Sequence, residues 1–281
     1  MGAHPGSHAA DRHYDRGVNH SYLAVTVDSG IARVVLNKPE RRNALSLGML
    51  GELLGLWKNL IDDRDVRVVV VSGAGPVFSA GHDLSEMIDR EPEFYDELFN
   101  TCTDVMLGIQ TLPQPVIAQV HGTATAAGCQ LVAACDLAVA DTGSRFATPG
   151  VHIGLFCSTP MVPVTRAIGR KRAMQMLLTG DFIDAGTALE WGLINGVVPP
   201  EDLKSRVDVL ARRIMEFSPE VVGIGKRAFY AQVDAREDAA YDTTGPIMSS
   251  NATHPDAQEG MAAFLDKRRP QWTTTMDESA R

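Results

Sequence analysis

The chain has 281 residues, of which 44% are hydrophobic and 22% charged, a composition typical of a soluble globular protein with a sizeable core. Acidic residues number 35 against 26 basic ones, which gives a formal net charge of -9 at pH 7. With no basic stripe in the sequence, this balance argues against nucleic acid as a partner. No apolar run approaches the roughly 20 residues that a membrane span needs, so we expect no membrane partner.

The first 20 residues predict a disordered tail. They contain no apolar stretch that could form the core of a signal peptide, so we expect a cytoplasmic protein. The four cysteines lack the spacing of a zinc or dithiol motif, and the histidines of the tail are irregularly spaced. No metal site is predicted.

Two strands joined by a tight turn are predicted next, over residues 22–37, where apolar and polar residues alternate on both sides of "DSG". A helix follows with Ser46 as its N-cap, and its leucines fall on one stripe. The continuous apolar run "VRVVVVSG", residues 66–73, is typical of a strand that is covered on both faces.

The alternation then continues through a helix over residues 94–112, a strand at 114–120, a helix at about 126–134 and a strand at 135–141. Strands that alternate with helices indicate the α/β class. From about residue 159 the pattern is helical, and extended structure returns only at "INGVV". The predicted units are a disordered tail at 1–20, a core at 21–205 and a helical C-terminal region at 206–281.

Two strand ends lead through small residues toward a helix, "FSAGHDL" at 78–84 and "GTATAAG" at 122–128. Both leave main-chain N–H groups open, and the free donors of a helix N-terminus suit an anion or a polarised oxygen. Two such donors on one carbonyl oxygen form an oxyanion hole. The alternative is that small residues only let a helix pack closely on a sheet. The second segment lacks the glycine pattern of a dinucleotide site.

Several segments resemble, in order, the landmarks of the crotonase (enoyl-CoA hydratase/isomerase) superfamily from about residue 21 to 272. They include "LNKPERRNALS", "GPVFSAGHDLSEM", "PVIAQVHGTATAAGCQLVAACDLAVA", "FATPGVHIGL" and "EGMAAFLDKRRPQW". The resemblance implies a spiral of strand-strand-helix (ββα) turns with a helical C-terminal region that builds a homotrimer or a dimer of trimers. It also implies an acyl-CoA thioester as ligand, with fatty acid metabolism as its setting. Coenzyme A would be part of the substrate, so no separate cofactor is expected.

The same resemblance assigns site residues. The thioester oxygen would lie between the backbone N–H groups of His82 and Ala127. Ser85 stands where hydratases often carry a phosphate-binding lysine. The other substrate contacts implied are Arg41, Arg42 and Ala44 near the CoA nucleotide, Ala80, Asp83 and Leu84 near the adenine and pantetheine, and Phe264 and Lys267 from the C-terminal helix. For the two arginines the alternative is a solvated loop pair.

The two glutamates that serve the family's hydratases as acid and base are both replaced, because their positions correspond to Gln130 and Gly150. An amide can orient water but cannot exchange a proton. His152 is a candidate substitute, because residues i and i+2 share a face in an extended segment. Its alternative is a structural histidine. Cys157 is interpreted as a packed cysteine rather than a nucleophile, and His121 as a satisfied core histidine.

The resemblance and the residues at positions 130 and 150 lead to three hypotheses for the function. The first is an enoyl-CoA hydratase-like protein that binds acyl-CoA and has an oxyanion hole but neither glutamate. The second is a non-catalytic acyl-CoA-binding or regulatory protein. The third is a crotonase-fold thioester hydrolase or decarboxylase, in which an oxyanion hole suffices with water or a substrate group.

Overall fold

The structure is a computed structural model that describes residues 12–13 and 20–273. Within the predicted tail, Arg12–His13 form a two-residue strand that pairs with the next strand of the chain, Arg12 opposite Val27. The rest of that tail lies outside the described residues, apart from His20.

The described chain forms two sheets. The strands are β1 (Arg12–His13), β2 (Leu23–Asp28), β3 (Ile31–Leu36), β4 (Val68–Gly73), β5 (Val116–Val120), β6 (Thr123–Thr125), β7 (Leu137–Asp141), β8 (Arg145–Ala147), β9 (Ile183–Asp184) and β10 (Gly196–Val198). The larger sheet has the order β1-β2-β3-β4-β5-β7-β10, and the smaller one the order β6-β8-β9. From β3 to β10 the larger sheet is parallel, whereas β1, β2 and β3 pair antiparallel.

Helices cover the sheets and build the C-terminal part. They are α1 (Leu47–Leu60), α2 (Pro92–Thr111), α3 (Ala127–Ala134), α4 (Met161–Ile168), α5 (Arg170–Thr179), α6 (Ala185–Trp191), α7 (Leu203–Met215), α8 (Pro219–Gln232), α9 (Glu237–Ala252) and α10 (Pro255–Leu265). Short 3-10 helices lie at Pro39–Arg41, Leu84–Glu86, Pro149–Ile153 and Pro200–Asp202.

The core lies on both faces of the larger sheet. One face packs against α1, α2 and α3 in a single apolar cluster, and the other packs against α7 through Val207 and Ala211. All four valines of β4 are buried, as the continuous apolar run predicts. The α/β class is confirmed. Because α7 crosses residue 205 and packs on the sheet, the division predicted there falls inside a helix; the three units remain a prediction.

The start of α1 is fixed by two side chains. Ser46 Oγ accepts a hydrogen bond from the Met49 N–H at 3.2 Å, which confirms Ser46 as the N-cap. Glu86 Oε2 accepts from the Leu47 N–H at 3.1 Å. The second contact ties the segment that follows the first small-residue corner to the entry of α1.

The C-terminal helices carry little core of their own. No residue of α9 is buried, and Tyr241 and Met248 on it are 72% and 70% exposed. Phe264 and Leu265 of α10 are 82% and 78% exposed. The predicted helical region is confirmed, and its exposed apolar side chains are of the kind that subunit contacts cover. The predicted trimer or dimer of trimers stays a prediction.

One buried ion pair attaches α8 to the sheet. Asp136 accepts hydrogen bonds from Lys226 Nζ at 2.6 Å, from the Val116 N–H at 2.6 Å and from the Tyr230 hydroxyl at 2.8 Å. The side chains of Lys226 and Asp136 are only 7% and 14% exposed. Burial lowers the pKa of Lys226 and raises that of Tyr230, although Asp136 partly offsets the effect on the lysine.

Removal of this carboxylate is expected to loosen the C-terminal region. In Asp136→Ala the Lys226 ammonium would be buried without its partner, which typically costs about 3–5 kcal/mol. The matched control is Asp234→Ala, because the Arg166–Asp234 pair is 54% and 59% exposed and such surface pairs contribute about 0–1 kcal/mol. Urea unfolding measures both free energies. Equal losses would show that the Asp136 network does not hold α8.

Candidate active site

The two small-residue corners of the sequence meet in space. A Cβ added at Gly81 would lie 2.9 Å from Ala126 Cβ and 3.3 Å from the Ala127 nitrogen. A Cβ added at Gly128 would lie 2.5 Å from the Ser79 carbonyl oxygen. Each corner therefore contacts the other at a glycine, where a side chain would not fit. We call residues 79–82 and 125–128 the paired corners.

Hydrogen bonds hold the paired corners in register. The Ser79 N–H donates to the Thr123 oxygen at 3.1 Å, and the Thr125 N–H donates to the Ser79 oxygen at 3.0 Å. Ser79 Oγ donates to the Asn43 oxygen at 2.9 Å and accepts from the Gly81 N–H at 3.3 Å. Since Ser79 is fully buried, this hydroxyl fixes the Gly81 peptide that leads into His82.

Two backbone donors remain at the paired corners. Ala127 is the first residue of α3, so its N–H has no acceptor within the helix. The preceding Ala126 has φ 49° and ψ -118°, an uncommon conformation for a residue other than glycine, and its own N–H donates to the Ala147 oxygen at 2.9 Å. No backbone–backbone hydrogen bond among the described residues uses the N–H of His82 or of Ala127. Two open donors are thus brought onto neighbouring segments.

The loop that carries Arg41 and Arg42 lies against the first of the paired corners, residues 79–82. Asn43 is fully buried at φ 50°, and its Nδ2 donates to the Ala74 and Val77 oxygens at 2.8 and 2.9 Å. The Ala80 N–H donates to the Arg42 oxygen at 3.0 Å. Both arginine side chains are exposed, beside the exposed Ala80, and Ala44 is partly buried. Sequence reasoning missed Asn43, whose only signal is an amide at a turn.

Asp83 and Leu84 follow His82 at the rim. Asp83 is the N-cap of the Leu84–Glu86 turn, and its carboxylate accepts from the Ser85 N–H at 3.0 Å and from Ser85 Oγ at 2.6 Å. Leu84 is 47% exposed. The carboxylate of Asp83 is therefore engaged in its own turn, whereas Leu84 is open to a ligand.

Phe264 lies on α10, and Lys267 follows two residues after that helix ends. Both are exposed, and Phe264 lines a cavity of about 680 Å³ whose walls come from the C-terminal region, among them Phe217, Met261 and Trp272. No residue of the paired corners lines that cavity. The substrate contacts implied for these two residues remain a prediction.

Gln130 lies on the first turn of α3 and is 3% exposed. Its Oε1 is 3.9 Å from Cys102 Sγ on α2, a weak hydrogen bond with the thiol as donor. Burial raises the pKa of Cys102 to about 12, which keeps this thiol protonated. The Gln130 amide therefore contacts α2, and it lies on the same turn of α3 as the Ala127 N–H.

Gly150 has no room for any side chain. A Cβ there would lie 1.9 Å from the Leu155 oxygen and 2.8 Å from Cys157 Sγ. The Gly150 N–H donates to Cys157 Sγ at 3.4 Å, and the Leu155 N–H donates back to the Gly150 oxygen at 3.0 Å. The segment of residues 155–157 thus fills the space beside Gly150, where the resemblance implies the second glutamate. Cys157 is 7% exposed and burial raises its pKa, as fits a packed thiol.

His152 does not share a face with Gly150, as an extended segment would predict, because residues 149–153 form a 3-10 helix. At three residues per turn, i and i+2 point in different directions. His152 Nε2 instead bonds the Thr179 oxygen at 2.7 Å, and His121 Nε2 bonds the Gly75 oxygen at 2.8 Å. Both contacts fit structural histidines, and His152 as a base stays an untested prediction.

Within residues 20–273, no cluster of three or more His, Cys, Asp or Glu is arranged to hold a metal ion. Among the helices that the structure describes, none has the length and apolar character to cross a bilayer.

Comparison with known proteins gives consistent matches. The profile of the family described as Enoyl-CoA hydratase/isomerase matches residues 26–275. Enoyl-CoA hydratase domain-containing protein 3, mitochondrial, of Danio rerio is 48% identical over 93% of this chain and 91% of its own length. Two solved structures cover 89% of this chain. An enoyl-CoA hydratase of Mycobacterium smegmatis is 47% identical, is covered over 98% of its own chain and superposes with a TM-score of 0.88. The human enoyl-CoA hydratase domain-containing protein 3 is 46% identical, is covered over 100% of its own chain and superposes with a TM-score of 0.87.

The expectation of a cytoplasmic protein is contradicted by these relatives. The proteins from five vertebrates that match at 47% to 49% identity are all named as mitochondrial. The expectation rested on the first 20 residues, which carry no apolar stretch. Mitochondrial transit peptides are amphipathic and do not need such a stretch, so its absence could not decide the location.

The contact between the paired corners is expected to tolerate no added methyl group. Gly128→Ala would press a Cβ onto the Ser79 carbonyl, and overpacking of this kind costs about 1–3 kcal/mol. In the matched control, Gly55→Ala in α1, the Cβ would meet nothing within 4 Å, so a gain of about 0.4–1 kcal/mol is expected. Urea unfolding of both variants checks this. A Gly128→Ala protein as stable as the parent would contradict the packing.

Proposed function

The chain belongs to the enoyl-CoA hydratase/isomerase family, and on that premise we propose that it binds a fatty acyl-CoA thioester and polarises the thioester carbonyl. The oxygen would accept hydrogen bonds from the backbone N–H groups of His82 and Ala127. The observation that carries this proposal is the pairing of the corners, which brings two open donors onto neighbouring segments. Such donors act strongly on an oxyanion because they are fixed before the ligand arrives.

The exposed rim supports a coenzyme A ligand. Arg41 and Arg42 lie on the loop that the Ala80 N–H holds at the first corner, and both guanidinium groups are free to meet phosphate. With Ser85 in place of a lysine, phosphate binding would depend on this pair. We also propose a homotrimer, supported by the exposed apolar side chains of α9 and α10.

Hydration by the two-glutamate route is not supported by the site. Gln130 cannot exchange a proton, and the position of Gly150 is filled by the Leu155 carbonyl and the Cys157 thiol. General acid–base catalysis typically contributes about 10²–10⁴ in rate per group. We therefore propose that the protein is an acyl-CoA-binding member of the family with feeble hydratase activity at most. The closed Gly150 position favours a binding or regulatory role.

Hydration of crotonyl-CoA tests this assignment. At high concentration, the protein as it stands is expected to bind butyryl-CoA, measured by calorimetry, and to hydrate crotonyl-CoA very slowly or not at all. Gln130→Glu restores one proton-exchanging group next to the Ala127 donor, so hydration should rise by about 10²-fold. Gln130→Met, which fills similar space without a carboxylate, should show no rise.

The outcomes separate the candidate functions. Turnover by the unaltered protein at roughly 1 to 10³ per second, an ordinary enzymatic rate, would contradict the role assigned to the missing glutamates. Release of free coenzyme A or carbon dioxide, followed by mass spectrometry, would favour the hydrolase or decarboxylase alternative. No binding of butyryl-CoA would refute the proposed function itself. Gly150→Glu is unsuitable as a test because its side chain would collide with the Leu155 carbonyl.

A further inference from the structure

Asn195 and Gly196 form the one Asn-Gly pair in the sequence. Asparagine is a thermally labile residue, because the backbone nitrogen that follows it can attack its side-chain amide. Glycine in the following position leaves that nitrogen unhindered and lets the backbone bend toward the amide. This pair lies between α6 and β10, outside the paired corners, and the proposed function makes no use of it.

The amide of Asn195 lies at the surface and is restrained through its oxygen. The residue is exposed, and its Oδ1 accepts a hydrogen bond from the Ala138 N–H of β7 at 2.8 Å. Release of one such bond would slow a reaction of the side chain by about tenfold and would not prevent it. The amide is therefore open to reaction in the folded protein.

The Gly196 nitrogen points to the open edge of the larger sheet. Gly196 begins β10, the last strand in the order of that sheet, which pairs with β7. The Asn195 N–H donates to the Ala138 oxygen at 2.7 Å, on the β7 side. Because successive N–H groups of a strand point to opposite sides, the Gly196 N–H points away from β7. A three-residue strand at an edge also opens locally at little cost.

We propose that Asn195 is a modification site, at which the side-chain amide is converted to a carboxylate without an enzyme. The Gly196 nitrogen loses its proton and attacks Asn195 Cγ, and ammonia leaves as a cyclic succinimide closes. Water then opens the ring at either carbonyl. One opening gives aspartate, and the other gives isoaspartate, in which the main chain runs through the side-chain carbon. Water is taken up and ammonia is released, and no atom is oxidised or reduced.

The two products differ in their effect on the fold. Aspartate retains an oxygen that can accept from the Ala138 N–H. Isoaspartate lengthens the main chain by one carbon just before β10, so that β10 cannot keep its register, in which Val197 lies opposite Ala140. β10 leads through a 3-10 helix into α7, whose Val207 packs on the sheet. Isoaspartate at this position therefore loosens the attachment of α7.

Peptide mapping by mass spectrometry tests the site in the unaltered protein. The folded protein is kept at mildly alkaline pH, which favours the deprotonated nitrogen, and Asn195 is expected to be converted with time to both products. Asn59 and Asn100 are exposed asparagines of α1 and α2 and serve as internal controls that should stay intact. An intact Asn195, or equal conversion at Asn59 and Asn195, would overturn the inference.

Gly196→Ala tests whether the glycine nitrogen is the attacking group. A Cβ added there would meet only Val139 Cγ1, at 3.9 Å, an ordinary contact, so this variant is expected to fold. Its methyl group crowds the attack on the amide, and conversion of Asn195 should slow by about tenfold or more. An unchanged rate would contradict attack by this nitrogen.

The structural effect is measured on separated products. Chromatography isolates the isoaspartate form of the aged protein, and its urea unfolding is compared with that of Asn195→Asp, which carries the same charge on a normal main chain. The isoaspartate form should unfold at the lower urea concentration. Equal midpoints would show that the longer main chain does not disturb β10 and α7.

Discussion

The mutual approach of two backbone segments is the constraint on which the site depends. Ser79 lies against Gly128, and Gly81 lies against Ala126 and Ala127, at distances that exclude even one added methyl group. The same contact ties the smaller sheet to the chain before α1, because Ser79 pairs with Ala124 of β6 and the Leu45 N–H donates a hydrogen bond to the Gly81 oxygen. The small residues allow the two segments to pack closely, and they also leave the N–H groups of His82 and Ala127 uncovered by side chains. Close packing and open backbone donors therefore occur together at these corners.

Gln130 and Gly150, the positions where the family resemblance implies glutamates, are each fitted to the local structure. Only glycine fits at position 150, because the Leu155 carbonyl and the Cys157 thiol occupy the space where a side chain would lie. Gln130 is buried against the Cys102 thiol, whose raised pKa keeps it neutral. A carboxylate at either position would bring a charge into a setting of neutral groups, which is unfavourable without a partner. This setting supports the proposed site, which would polarise a carbonyl and exchange no proton through these positions.

Much of this architecture could be predicted from the sequence, because its signals are local. The β2–β3 hairpin, the Ser46 cap and the buried run of β4 each follow from periodicity or from one capping residue. The short strands β6, β8 and β9 were not predicted, since two or three residues carry no period and their pairing is set by distant segments. The 3-10 helix at Pro149–Ile153 was not predicted either, because a single short turn leaves no helical period in the sequence, and the direction of the His152 side chain depends on that turn. The surroundings of Gly150 are a tertiary fact that no spacing encodes.

We propose that the paired corners bind a thioester through its carbonyl oxygen. Titration with butyryl-CoA and with S-butyl-CoA, a thioether that differs only in having no carbonyl oxygen, tests it most directly. Two hydrogen bonds to the oxygen should make butyryl-CoA bind at least about tenfold more tightly. Equal affinities would show that the nucleotide and the alkyl chain account for binding, and that the two backbone donors do not meet the carbonyl.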